Sequence, residues 1–203
     1  NATSLILPTA ANITTAAADS AIFLSLGSGN WRCENYYRKD GTALVGATAA
    51  NALSGSVIQF VSSSTASMTT TAATIPIDDT LPQNTEGAEV LTQAITPNAT
   101  GNKLRIRALI HVSNNTQVKS VIALFQDSTA NALAAACIDL SNTSNLGILF
   151  VEHIMDAGTV SATTFKARIG TNTNGTITIN GEAGARVFGG ALISWLTVEE
   201  IKA

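Results

Sequence analysis

Between Lys103 and Val112 the chain sets Leu104, Ile106, Ala108, Ile110 and Val112 on alternate positions, with Lys103, Arg105, Arg107, Leu109 and His111 between them. A period of two sends successive side chains to opposite faces, so this stretch is a half-buried strand with a basic outer edge. Segments of similar length recur at 89–95, 118–125, 132–140, 146–155, 163–169, 176–179 and 191–201, parted by Asn, Asp, Gly and Ser. Asn114-Asn115 and Asp127-Ser128 read as turns. Asn172-Thr173-Asn174-Gly175 reads as the turn of a hairpin joining 163–169 to 176–179. Residues 131–137 are Ala-rich and helix-compatible by propensity, but the turns on either side favour a hairpin. This is an all-β chain with the strand count of an antiparallel sandwich.

Several of these strands are apolar on both faces. In 118–125 no position is consistently polar, and 146–155 carries Leu146, Ile148 and Phe150 on one side and Leu149, Val151 and Met155 on the other. Residues 191–201, through Leu192, Ile193, Trp195, Leu196 and Val198, do the same. One face of a sandwich strand meets the core and the other meets water, so the second apolar face predicts a second burial, most simply against neighbouring subunits. Ile148, Phe150, Val151, Ile193, Trp195 and Leu196 are the residues expected in that intersubunit core. Charged residues make up only 12% of the 203, about half the usual share, which fits surface lost between chains. The net charge of -3 leaves no basic footprint for nucleic acid. No apolar run has the length of a membrane span. Cys33 and Cys137 are too few for a disulfide scaffold and read as free thiols of a protein folded in a reducing cytoplasm.

Residues 74–87 mark a change of character, since 42–74 carry no charge and well-marked strands follow. Pro76 and Pro82 disfavour helix, Asp78, Asp79, Thr80 and Asn84 suit tight turns, and Gly87 suits a positive φ. Asp78, Asp79, Pro82, Glu86 and Gly87 are expected to form a structural corner. This run resembles the opening of the C-terminal head domain of tailed-phage and prophage fibre proteins. The resemblance continues through Asn102-Lys103-Leu104-Arg105-Ile106-Arg107, Ala123-Leu124-Phe125-Gln126-Asp127-Ser128 and Arg186-Val187-Phe188-Gly189-Gly190. Those heads are similar to the trimeric jelly rolls of tumour necrosis factor and C1q. The resemblance implies a jelly-roll strand order, a homotrimer and a place in a virion.

Three regions are expected: a small β stem module at 1–45, an Ala/Ser/Thr-rich neck with the first strands at 46–73, and the head at 74–203. The first is similar to a β module that precedes the heads of phage tail proteins, with Trp31, Tyr36 and Tyr37 bracing the neck ahead of Asp40-Gly41. Its opening, Asn1-Ala2-Thr3, reads as the interior of a longer polypeptide. Gly27-Ser28-Gly29 lacks the third glycine and the following helix of a phosphate loop.

Candidate chemistry is sparse. His111 and His153 stand at no metal-ligand spacing, and no serine sits in a nucleophile elbow. Asp78, Asp79, Glu86, Glu89, Glu152 and Asp156 leave open the carboxylate pair that glycan hydrolysis needs. Arg105, Arg107, Lys166 and Arg168 read as a solvated sheet face, with an anionic-glycan patch as the alternative. The reading is therefore a phage fibre or spike without catalysis or cofactor. It binds a bacterial surface glycan or outer-membrane receptor and joins other virion proteins through its N-terminal side. A glycan-cleaving enzyme and a head-decoration protein are the rivals. The expected receptor contacts are the loop residues Asn114, Asn115, Asp127, Asn142, Asn145, Asn172 and Asn174, since short amides and carboxylates offer the donors and acceptors that sugars need.

Overall fold

The computed structural model describes residues 5–7, 13, 15–41, 53–140 and 144–203. The chain divides into two compact units, Asn1–Leu53 and Ser54–Ala203. In the first, β1 (Leu5–Ile6), β2 (Ser20–Gly27) and β3 (Asn30–Tyr37) form a sheet in the order β1-β3-β2. β2 and β3 pair antiparallel around Ser28 and Gly29, whose φ values of 54° and 80° give the twist of a tight hairpin. Asp19 ties the open end, accepting hydrogen bonds from the Tyr36 hydroxyl and from the amides of Ala16 and Lys39. The Tyr36 bond, seconded by the two amides, holds the Asp19 carboxyl below its usual pKa.

The second unit contains β4 (Val57–Thr65), β5 (Thr69–Thr71), β6 (Ala88–Ile95), β7 (Lys103–Asn114), β8 (Lys119–Gln126), β9 (Ala134–Asp139) and β10 (Gly147–Asp156). It continues with β11 (Thr163–Thr171), β12 (Ile177–Ile179), β13 (Gly181–Glu182), β14 (Ala185–Arg186) and β15 (Ser194–Ile201). Eight of these make two antiparallel four-stranded layers, β4-β15-β7-β10 and β6-β11-β8-β9, which is the order of a jelly roll. β12 pairs the far end of β7, and β5 pairs β12. Leu104, Ile106, Ile110 and Val112 of β7 are fully buried against Ile122, Leu124, Phe165 and Ile169 of the opposite layer. The alternation of β7 thus has its cause in the core. The Asp127-Ser128 turn joins β8 to β9 as a true hairpin.

One expectation is corrected here. Residues 163–169 and 176–179 are not hairpin partners: β11 lies in one layer and β12 in the other. Asn172 and its neighbours bind the β7–β8 turn instead of each other, with Asn172 Oδ1 accepting from the Lys119 amide and Asn115 Oδ1 from the Thr176 amide, both at 2.8 Å. β4 and β5 are strands of the kind expected in the Ala/Ser/Thr-rich stretch, and both pair within the larger sheet. β4 is an edge strand whose Ser62, Ser63 and Ser64 pair with β15, and main-chain pairing needs no large side chains. After β14 the chain makes a 3₁₀ turn at Phe188–Gly190.

The double apolar character of β8 also has a cause within one chain. Ile122 and Leu124 face the inter-sheet core, while Val121, Ala123 and Phe125 face outward and are covered by Ile75. The start of the 74–87 stretch lies along β11. The Ile75 amide donates to Thr171 O at 2.9 Å, and the Gly87 amide closes the loop onto Thr74 O at 2.8 Å. A Cβ on Gly170 would sit 2.8 Å from Ile75 N and Thr74 C, so only glycine admits this backbone approach. Gly87 takes φ +64° as the turn requires. Ile75→Ala is expected to lower the unfolding free energy by about 2–5 kcal/mol, read as a shifted urea midpoint.

Candidate functional site

The outer face of the β4-β15-β7-β10 layer is built by strand register. Ser64, Trp195, Leu109 and Phe150 stand in one row across it, and Ser62, Thr197, Arg107 and Glu152 in the next. Phe60, Glu199, Arg105 and Ile154 form a third. Phe60, Ile148, Phe150, Ile154 and Trp195 are each about half exposed, although they are large and apolar. Phe60, Arg107, Leu109, Phe150, Trp195 and Thr197 line a depression of about 210 Å³. A contiguous apolar surface of this kind marks a contact site.

The charged part of the face is internally compensated. Glu199 accepts from Nε and Nη2 of Arg105 with one carboxylate oxygen and from Nη2 of Arg107 with the other, and its side chain is only 9% exposed. Lys103 pairs with Asp156 at 2.5 Å, and Glu152 lies 3.9 Å from Arg107 Nε. Three cations meet three anions, so the face is neutral. Arg105 and Arg107 are therefore no open cationic patch. On the other layer Lys166 and Arg168 both approach Glu89, and Arg168 also donates to the carbonyls of Glu86 and Gly87.

Of the six residues expected between subunits, Ile148, Phe150 and Trp195 lie on this face, and Ile193 is exposed just before β15. Val151 and Leu196 do not serve that role. They are 4% and 0% exposed, inside the chain's own core, because neighbouring residues of a strand point oppositely. Phe60, Leu109 and Ile154 were missing from the expectation. Phe60 sits in a stretch that reads as low complexity, and the register that gathers all three is set by the fold.

The expected receptor loops divide. Asn114, at 1% exposure, is structural: its amide donates to Val118 O, and its Oδ1 accepts from the Ser120 hydroxyl. Asn172 is likewise committed to Lys119. Asn115, Asn145 and Asn174 are exposed. The Ser144 amide bonds Asn114 O and the Thr176 amide bonds Asn115, so these loops gather at one end of the sandwich. Asp127 lies at the other end of β8, with both carboxylate oxygens accepting from Thr163 and Thr164. Asn142 lies outside the described residues.

The corner residues hold their own loop. Asp78 Oδ1 accepts from the Thr80 hydroxyl and amide, which lowers its pKa, and Glu86 caps the Gln83 amide. Asp79 and Pro82 complete the bend, exposed and half-buried respectively. Among the described residues no three His, Cys, Asp or Glu side chains gather as a metal site would require. Burial lowers the pKa of His111, which is paired in register with Ile148. Cys33 is buried and Cys137 exposed, and both are free. No helix among the described residues is long and apolar enough to cross a membrane.

No family model and no curated protein matches the chain. Among solved structures it is similar to the Eiger tumour necrosis factor of S. frugiperda, with TM-score 0.43 and 10% identity over 71% of this chain and 94% of that one. It is also similar to the C-terminal domain of the sugar-binding protein EclA, with TM-score 0.31 and 13% identity over 66% of this chain and 81% of that one. For the enzymatically active domain of tailspike protein 4 of bacteriophage CBA120 the TM-score is 0.27 and the identity 16%, over 72% of this chain and 20% of that one. Likenesses at this level carry no argument about function, which has to rest on the residues themselves.

Proposed function

We propose that this protein is a non-catalytic, homotrimeric structural and adhesive component of a bacteriophage virion, the distal part of a fibre or spike. It binds a host surface glycan or outer-membrane component. The observation that carries the reading is the outer face of β4-β15-β7-β10: apolar in one part, charge-neutral in the other. A nucleic acid, an anionic membrane or an acidic glycan would call for net positive charge there. Another copy of this chain needs none, and about a three-fold axis it would offer this face a different patch of its own surface; the occupant proposed here is that copy. The virion assignment follows the resemblance of four segments to fibre heads, and the N-terminal side is the attachment to other virion proteins.

Receptor contact falls to the end that carries Asn115, Asn145 and Asn174, where exposed amides stand on well-paired strands. Of the carboxylates a hydrolase would use, Asp78 and Glu86 bind turn amides, and Glu89, Glu152 and Asp156 lie beside cations. Three copies about an axis raise weak contacts to useful avidity, by about 10²–10⁴-fold. Purified protein is expected to compete with phage adsorption to host cells and to leave isolated host polysaccharide at its original chain length. Shortened chains support a glycan-cleaving enzyme. Competition absent, with normal adsorption by particles lacking the protein, supports a decoration role.

A further inference from the structure

The chain holds two Asn-Gly pairs, Asn174-Gly175 and Asn180-Gly181, and the fold treats them oppositely. An asparagine followed by glycine can cyclise: the glycine nitrogen attacks the carboxamide carbon, and no Cβ on the glycine obstructs the approach. The reaction needs a carboxamide free to turn onto its own main chain and a following amide outside strand pairing. Asn180 meets neither condition. It is 0% exposed, its Nδ2 donates to Thr65 O at 2.9 Å and to Ser67 O at 3.2 Å, and its Oδ1 accepts from the Ser194 hydroxyl at 2.7 Å. Gly181 is paired in β13 with Arg186. Asn174 meets both. It is exposed in the connection between β11 and β12. Among the described residues neither its side chain nor the Gly175 amide has a hydrogen-bond partner.

We propose that Asn174 is a site of spontaneous deamidation. A bond forms from Gly175 N to Asn174 Cγ, the bond from Cγ to Nδ2 breaks, and the Gly175 amide proton leaves with that nitrogen as ammonia. Water then opens the resulting succinimide ring. Cleavage between the ring nitrogen and Cγ leaves aspartate, and cleavage at the main-chain carbonyl leaves isoaspartate. One neutral amide becomes a carboxylate, with water as the only reactant. The reacting atoms belong to adjacent residues, so local rotation is enough to bring them together. Packing keeps the glycine in place: a Cβ on Gly175 would lie 2.9 Å from Val118 Cγ2 and 3.1 Å from Thr116 Oγ1. The new negative charge falls at the end of the sandwich where Asn115 and Asn145 are exposed. Loop geometry alone carries this, without the receptor role proposed above.

The test ages the full chain in mildly alkaline buffer made with oxygen-labelled water, with and without denaturing urea, and follows both pairs by peptide mapping. In the folded chain the peptide of Asn174 is expected to take up labelled oxygen. An acidic form should appear on ion exchange, and part of it should be methylated by a protein isoaspartate methyltransferase. Asn180 is expected to convert at least about tenfold more slowly, because its three hydrogen bonds must open first. Urea should abolish that protection. Asn174→Gln should remove the acidic form, since the longer side chain closes the corresponding ring far more slowly. An amide that persists at Asn174 in the folded chain overturns the inference. So do equal rates at Asn174 and Asn180 in the folded chain, or an acidic form that survives in Asn174→Gln. Competition with phage adsorption is a separate measurement, so a chain that converts and does not compete refutes the receptor reading alone.

Discussion

Trp195→Asp is expected to give a folded chain that no longer assembles, and Leu196→Asp is expected to give no folded chain at all. The residues are neighbours on β15, yet Trp195 is half exposed on the outer face and Leu196 is wholly buried. An aspartate at 196 would lie among the inter-sheet residues with no partner, at a cost of several kcal/mol, roughly the whole stability of a marginal domain. An aspartate at 195 stays hydrated in the separated chain and costs that chain little. It becomes an uncompensated charge once the neutral face is covered. Loss of a tryptophan anchor alone is worth about 2 kcal/mol or more per contact, so association should weaken by at least about 30-fold. Sedimentation or light scattering at micromolar concentration, with circular dichroism for the fold, reads both outcomes. If the unchanged chain forms the proposed trimer and Trp195→Asp leaves it intact, the outer face has no part in that assembly.

Glu200→Ala is expected to be among the most destabilising single changes in the sandwich, at about 3–5 kcal/mol. Glu200 points inward from β15 and is fully buried, with four groups donating to it. Its Oε1 accepts from Asn102 Nδ2 at 2.6 Å and from the Asn98 amide at 2.8 Å, with a longer bond from the Ala99 amide, and Oε2 accepts from Asn98 Nδ2 at 2.6 Å. The carboxylate thereby clamps the β6–β7 turn to the last strand, and its loss leaves buried donors without acceptors. Burial by itself pushes this carboxyl up. The bonds from Asn102, Asn98 and Ala99 together outweigh it, and the pKa is held below its ordinary value.

A depressed folded-state pKa stabilises the protein above the unfolded pKa and ceases to do so as pH falls through the folded value. Urea midpoints should therefore fall as the pH drops below the ordinary glutamate range, and Glu200→Gln should flatten that part of the profile. An unchanged acid limb in the glutamine variant would assign the acid sensitivity to other carboxylates.

Much of the sandwich is written in local pattern. The alternation of Leu104 through Val112 identifies β7 and its buried side, and Asp127-Ser128 identifies the β8–β9 hairpin. Gly87, between a Pro-bounded corner and the next strand, identifies a positive φ. Each follows from steric and hydrophobic rules that act over a few residues. The partner of each strand is another matter, because backbone hydrogen bonds are the same whatever the side chain. Asn172 to Gly175 has the composition of a hairpin turn, but here it crosses between layers, since its amides find better partners around Asn115 and Lys119. Two apolar faces on a strand predict two burials without saying by what. For β8 the cover is Ile75 of the same chain, and for β10 and β15 one face remains open. Which of Trp195 and Leu196 belongs to which side is a matter of a single step along a strand. Only the closing of the two layers on each other, which puts Leu196 and Val151 in the common core, decided it.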